Sequence, residues 1–240
     1  MDFFVYAVKY KIYPFMKFLI FRFKRLILSL IITTCHITAF AQKVDVDLSG
    51  LVVDKTIKGY NRQVTIIPSG PKGSYIHLNE NEGAGMAWLE GVQFSDGTIE
   101  FDVKGRNVLQ QSFVGIAFHG SNDSTYDAVY LRPFNFKSQE EERRNHSVQY
   151  ISLPKYDWPK LRSEFPNKYE QPISPAPEPE DWVHCRLVIK NDEIKIFIND
   201  NSTPSLTVKT LGNHKGTKIG FWVGNGSDGD FANLDIRKNV

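Results

Sequence analysis

The sequence predicts an all-β fold: two antiparallel sheets packed face to face as a sandwich. Three observations lead there. From residue 97 onward, apolar residues recur at every second position, the period of a half-buried strand. The runs are short and separated by clusters of Asn, Asp, Gly and Ser, which favour turns. No stretch beyond the N-terminal leader keeps a helical period. Ten or so short strands without helices fit a sandwich better than any layered α/β arrangement. No internal repeat is visible.

The chain opens on a leader. Lys17, Arg22, Lys24 and Arg25 precede the apolar run 26–32, and Ala39-Phe40-Ala41 precedes Gln42. A charged start, a short apolar centre and an A-x-A site describe a secretory signal peptide over residues 1–41, cleaved after Ala41. Met16 opens a leader of ordinary length, so 1–15 reads as sequence ahead of a later start. The apolar centre is short for a membrane span. Cys35 follows Thr33-Thr34, without the small residues of a lipoprotein site. The expectation is a secreted or periplasmic protein, free of the membrane after cleavage, with 42–240 as one domain. The formal charge of +2 includes the basic leader; the remainder is acidic. It carries no basic stripe with interleaved aromatics, so nucleic acid is not an expected partner.

The strands follow in order. "RQVTIIP", "SYIHLN" and "MAWLEG" are short and strand-like. In "TIEFDVK", Ile99, Phe101 and Val103 share one face, with Glu100 and Asp102 on the other. "SFVGIAFH" sets Val114, Ile116 and Phe118 against Gly115, Ala117 and His119. "VHCRLVIK" and "EIKIFIN" flank Asn191-Asp192, a hairpin turn. "TKIGFWVG" and "FANLDIR" flank the turn-rich link 225–229. Cys185 alternates with Val183, Leu187 and Ile189, which predicts a small core residue without a disulfide partner.

Residues 137–181 break the rhythm. They hold seven of the twelve prolines, the "EEERR" run, and Tyr156, Trp158 and Tyr169. Prolines with aromatics predict a stiff, ordered loop that packs on a sheet. Just before it stands "YDAVYLRPFNF", 126–136. Alternation puts Tyr130 and Arg132 opposite Val129 and Leu131, and Pro133 ends strand pairing.

The succession "FSDGTIEFDVKG", "SFVGIAFHG", "YDAVYLRPFNF", "VQYISLP", "DWVHCRLVIKNDEIKIFIND", "TKIGFWVGNGSDGDFANLDI" resembles a concanavalin A-like lectin/glucanase jelly roll. It is most similar to the bacterial 3-keto-disaccharide hydrolase-like domain, over nearly all of the chain after the leader. The resemblance implies a jelly-roll sandwich whose concave face and rim loops hold a saccharide. Tyr130, Arg132, Asn135, Gln149 and Trp158 are then the candidate ligand-binding residues: an arginine fork, amides and aromatic faces suit hydroxyls and an apolar ring face. The competing reading makes Arg132 a pin that holds the long loop through Glu or backbone carbonyls, with Phe134 and Phe136 in the loop's own core.

Catalysis has weaker candidates. Glu100 and Asp102 share a strand face, and a pair of carboxylates, one acid and one nucleophile or base, is how most glycosidases work. The resemblance to glycoside hydrolase family 16 fails at Gly105, where its Glu-x-Asp-x-x-Glu motif needs a third carboxylate. His119 is a candidate general base beside two small residues. Asp228 and Asp230 in "GSDGD" could touch calcium but match no calcium-loop spacing; no other cofactor and no metal site is expected. Three functions stay open: saccharide binding on the concave face, cleavage of a glycoside of the 3-keto type, and protein adhesion.

Overall fold

The computed structural model describes residues 42–45, 56–213 and 215–239; the leader, its cleavage site and Cys35 lie outside the described residues. Among the described residues fifteen strands form two antiparallel sheets. In chain order they are β1 (Gln42–Asp45), β2 (Ile57–Tyr60), β3 (Val64–Gly70), β4 (Gly73–Leu78), β5 (Gly85–Leu89), β6 (Gly97–Lys104), β7 (Val114–Asn122), β8 (Thr125–Leu131), β9 (Val148–Leu153), β10 (Glu170–Gln171), β11 (Val183–Lys190), β12 (Glu193–Ile198), β13 (Leu206–Lys209), β14 (Lys218–Val223) and β15 (Gly229–Lys238). The first sheet runs β13-β12-β11-β6-β15-β4-β3, with β1 also on β15; the second runs β10-β9-β8-β7-β14-β5-β2. This is the jelly-roll sandwich that the alternation and the resemblance predict.

The core lies between the sheets, filled by the alternating sets. Ile99, Phe101 and Val103 of β6 are buried with Leu187 and Ile189 of β11. They face Val114, Ile116 and Phe118 of β7 and Phe221 of β14. Phe221 stacks on Phe231 of β15 with ring centres 4.6 Å apart, joining strands of opposite sheets. The link 225–229 therefore carries the chain from one sheet to the other rather than closing a hairpin. Asn191, at φ 55°, does close the β11–β12 hairpin, where an asparagine tolerates the left-handed region. Cys185 is 2% exposed and unpaired, and burial pushes its thiol pKa up. Thiol reagents are expected to label the native protein at least about a hundredfold more slowly than the denatured chain, since reaction needs both exposure and thiolate; rapid labelling of the folded protein would contradict its core position.

Residues 137–181 are ordered and attached to the second sheet. The segment supplies β9, which pairs with β8 from Tyr126↔Leu153 to Leu131↔Val148, and the short edge strand β10. It also holds two helices where no helical period is legible: α1 (Glu141–Arg144) and α2 (Trp158–Glu164). α2 starts where Asp157 Oδ1 accepts the Trp158 amide at 2.7 Å and Pro159 fits the first turn. Leu161 and Tyr169, both almost wholly buried, anchor the segment to the core. Among the described residues no helix is long and apolar enough to cross a membrane.

Candidate functional site

The outer face of the second sheet is built from small residues beneath large ones. Strand register aligns Glu170, Gln149, Tyr130, Gly115, Trp222 and Met86 as one row across β10, β9, β8, β7, β14 and β5. The next row brings Ile151, Ala128, Ala117, Gly220 and Trp88 to the same face. Gly115, in the row of Trp222, and Gly220, in the next, lack a side chain where the neighbouring backbones come close. A Cβ on Gly115 would sit 2.0 Å from the Val129 carbonyl oxygen, and one on Gly220 2.3 Å from that of Ala87. Trp222 packs on Tyr130 at 4.8 Å between ring centres and donates from Nε1 to the Tyr126 hydroxyl at 3.1 Å. Burial pushes the hydroxyl pKa of both tyrosines up to about 12, so both stay protonated.

Two adjoining clefts open on this face. The larger, of 420 Å³, includes Phe113, Arg132, Phe134, Asn135, Trp158 and Arg162 in its lining. The smaller, of 230 Å³, includes Tyr126, Tyr130, Ile151, Trp158 and Trp222. Phe113, Trp158 and Asn225 belong to both, so the two form one groove with an aromatic end and a basic end. Trp158 is 44% exposed, an unusual position for so large an apolar side chain.

Arg132 sits on this face, as alternation predicts, but its guanidinium is spent inside the protein. Nη1 donates to the His146 carbonyl at 3.0 Å and stands 3.5 Å from Glu170 Oε2. Nη2 donates to the Tyr130 hydroxyl at 3.0 Å and, over a shorter contact, to Gln149 Oε1. Glu170 and the His146 carbonyl both belong to residues 137–181, so the geometry is that of the pin. Phe136 is buried, while Phe134 meets Phe113 edge to face at 5.5 Å in the cleft wall. Asn135 donates to the His146 carbonyl at 3.2 Å, and its buried Oδ1 has no hydrogen-bond partner.

Glu170 organises this end of the groove. It is 2% exposed and takes a two-pronged bond from Arg162, Nε to Oε1 at 2.8 Å and Nη2 to Oε2 at 2.7 Å. Burial alone would raise its pKa; the Arg162 hydrogen bonds and neighbouring cations outweigh that and lower it, so the carboxylate stays charged. His146 Nδ1 lies 2.9 Å from Glu170 Oε2 without hydrogen-bond alignment. Burial, aided by Arg162 and Arg132, lowers its pKa below the ordinary histidine value. Arg162, Glu170, His146, Arg143 and Phe113 were not singled out from sequence. One signal was available: Asp157-Trp158-Pro159 is a helix start, and a helix places Arg162 over Trp158 four residues back, where the two lie 5.0 Å apart.

The three catalytic candidates lie elsewhere. Glu100 and Asp102 are on β6, in the first sheet, and point away from the core on the opposite side of the sandwich from Tyr130 and Arg132. There Asp102 bonds His184 Nδ1 at 2.8 Å, Asn233 Nδ2 at 2.7 Å and Lys72 Nζ at 3.1 Å; Glu100 lies 3.4 Å from Arg237. Arg132 therefore does not reach these carboxylates; its carboxylate partner is Glu170. His119 also leaves the face of Tyr130. At φ 51°, in the register shift at the end of β7, it turns to Asp127, which shares the core-facing side of β8 with Val129. Nδ1 is 2.7 Å from Asp127 Oδ2 and Nε2 is 2.7 Å from the Ser95 carbonyl, both acceptors. Burial opposes charge, but these partners raise the pKa, and a ring donating from both nitrogens is a cation with no free site for a base. Asp228 is ion-paired with Arg106 at 2.5 Å and Asp230 with His77 at 2.7 Å. Among the described residues no cluster of three or more His, Cys, Asp or Glu is placed to hold a metal.

No protein-family model matches the chain, and no curated protein matches it in sequence. Solved structures do share its fold. Carbohydrate binding module CBM66 from Bacillus subtilis superposes with a TM-score of 0.52 at 13% identity, over 75% of this chain and 95% of that one. The VIP36 exoplasmic/lumenal domain, in a form bound to Ca2+ and Man3GlcNAc, gives 0.51 at 10% identity, over 78% of this chain and 84% of that one. The fold is thus that of concanavalin A-like β-sandwiches.

Proposed function

We propose that the protein is a secreted saccharide-binding module whose ligand lies in the groove on the outer face of the second sheet. The observation that carries this reading is the groove itself: Trp158, Trp222, Tyr126, Tyr130 and Phe113 border one continuous depression with polar groups at one end. Sugars need both an aromatic platform for the ring face and fixed donors and acceptors for the hydroxyls. The likeness of fold to a carbohydrate binding module and to a domain seen bound to Man3GlcNAc agrees with this. The leader over residues 1–41 supplies secretion.

Binding is favoured over glycoside cleavage by the placement of carboxylates. The residues lining the two clefts include one, Asp157, whose Oδ1 caps α2. Acid–nucleophile chemistry calls for two facing the same bond, and Glu100 and Asp102 are on the other sheet. Adhesion through an apolar patch is disfavoured because Trp158 and Leu109, two of the most exposed large apolar residues, both border the groove.

Trp158→Ala is the direct test. Loss of the platform should weaken binding of a saccharide found on a glycan array by about tenfold or more, equivalent to about 1.4 kcal/mol. The melting temperature should stay within about 2 °C, since an exposed side chain away from the core is removed. Unchanged affinity in titration calorimetry, or an array with no bound glycan, would refute the proposal.

A further inference from the structure

The basic end of the groove is unbalanced. Three arginines, Arg132, Arg143 and Arg162, line the 420 Å³ cleft, and no Asp or Glu does. Behind them Glu170 is the single carboxylate shared by Arg132 and Arg162, so two cations meet one anion beneath the cleft floor. Among the described residues the ion-pair partner of Arg143 is Glu140 at 3.5 Å, whose side chain is 70% exposed and therefore a weak, screened partner. The pKa of His146 is lowered first by burial, with Glu170 opposing and Arg162 and Arg132 adding to the fall.

Neutral sugars call for balanced donors and acceptors. Guanidinium groups only donate, and their flat fork matches the paired oxygens of a carboxylate or sulfate. A cleft with low-dielectric aromatic walls concentrates such a field on whatever enters it. Phe113, Phe134 and Trp158 provide those walls.

Resting on the saccharide-binding reading above, we infer that the larger cleft selects an acidic saccharide, whose ring carries a carboxylate or a sulfate ester. Arg162 and Arg143 meet the anionic oxygens, and Arg132 supplies fixed positive charge beneath them.

The test is titration calorimetry on the mature protein with three probes: a hexuronic acid oligosaccharide, its carboxyl-reduced neutral counterpart, and a sulfated oligosaccharide. At least one acidic probe should bind about tenfold or more tightly than the neutral one. Its advantage should shrink as ionic strength rises from about 0.05 to about 0.5 M, because the charges are partly exposed. The acidic probe that wins identifies carboxylate or sulfate as the recognised group. Arg143→Gln should cut the acidic preference by about threefold. Arg162→Gln should cut it further. Equal affinity for acidic and neutral probes, with Trp158→Ala weakening both, would overturn the acidic selectivity and leave the saccharide site standing. No binding of any probe would overturn both.

Discussion

Replacing Arg132 with alanine is expected to lower the melting temperature by about 6–12 °C, the equivalent of about 3 kcal/mol in a domain of this size. The guanidinium is 4% exposed and serves four acceptors: Glu170, Gln149, the Tyr130 hydroxyl and the His146 carbonyl. Alanine takes a shared donor away from buried acceptors, and that desolvation cost, more than the lost bonds, sets the size of the effect. Three of the four acceptors belong to residues 137–181, so protease cutting between 154 and 179 should accelerate in the variant. Lysine keeps the charge but not the fork and should recover only part of the loss. Glu170 adds a pH signature. Burial works to raise its pKa, but Arg162 and Arg132 bring it below the ordinary 4.5. A depressed carboxyl contributes stability in full above its unfolded value and loses it as pH falls through the folded one. Wild type should therefore weaken below about pH 4.5, and Glu170→Gln should show less of that acid loss. A melting temperature within about 2 °C of wild type, together with lost glycan binding, would make Arg132 a ligand residue instead of a pin.

Part of this arrangement was legible in the sequence. Alternation in "YDAVYL" separates Tyr126 and Tyr130 from Val129 and Leu131, because successive strand residues face opposite ways. The same rule correctly puts Glu100 and Asp102 together, opposite Phe101. It cannot say which sheet the strand joins. β6 pairs with β11 and β15, each distant in sequence, and that long-range pairing puts the two carboxylates on the far side of the molecule from Arg132. His119 was misplaced by a different cause: strand alternation stops at a left-handed residue. Arg162 and Glu170 were missed because a seven-residue helix and a two-residue strand are too short to show a period. Their roles come from where β9 and β10 dock, which depends on packing rather than local pattern.

Asp102→Asn should cost about 2 kcal/mol at neutral pH and leave saccharide binding untouched. Burial works to raise the Asp102 pKa, but hydrogen bonds from His184, Asn233 and Lys72 outweigh it and hold the carboxyl at about 2 against an ordinary 3.8. At about 1.36 kcal/mol per pH unit that difference is the stated cost, and with 4% of the residue exposed, solvent screens it little. Asparagine also turns an amide NH2 toward partners that are themselves donors, so part of the network is lost even where the shape is kept. The sign follows from the depressed value: the contribution is full above pH 3.8 and disappears as pH falls through about 2. His184 has its pKa raised, first by its hydrogen bond to Asp102, so the same pair also weakens at alkaline pH, as the ring loses its proton above the ordinary 6.5. Wild type should thus lose stability at both ends, while the variant gives a lower and flatter profile of melting temperature against pH. Because β6 belongs to the first sheet and the groove to the second, glycan affinity measured by calorimetry should be the same in both proteins. A variant as stable as wild type that no longer binds saccharide would place the ligand on the Asp102 face and overturn the assignment of the site to the groove.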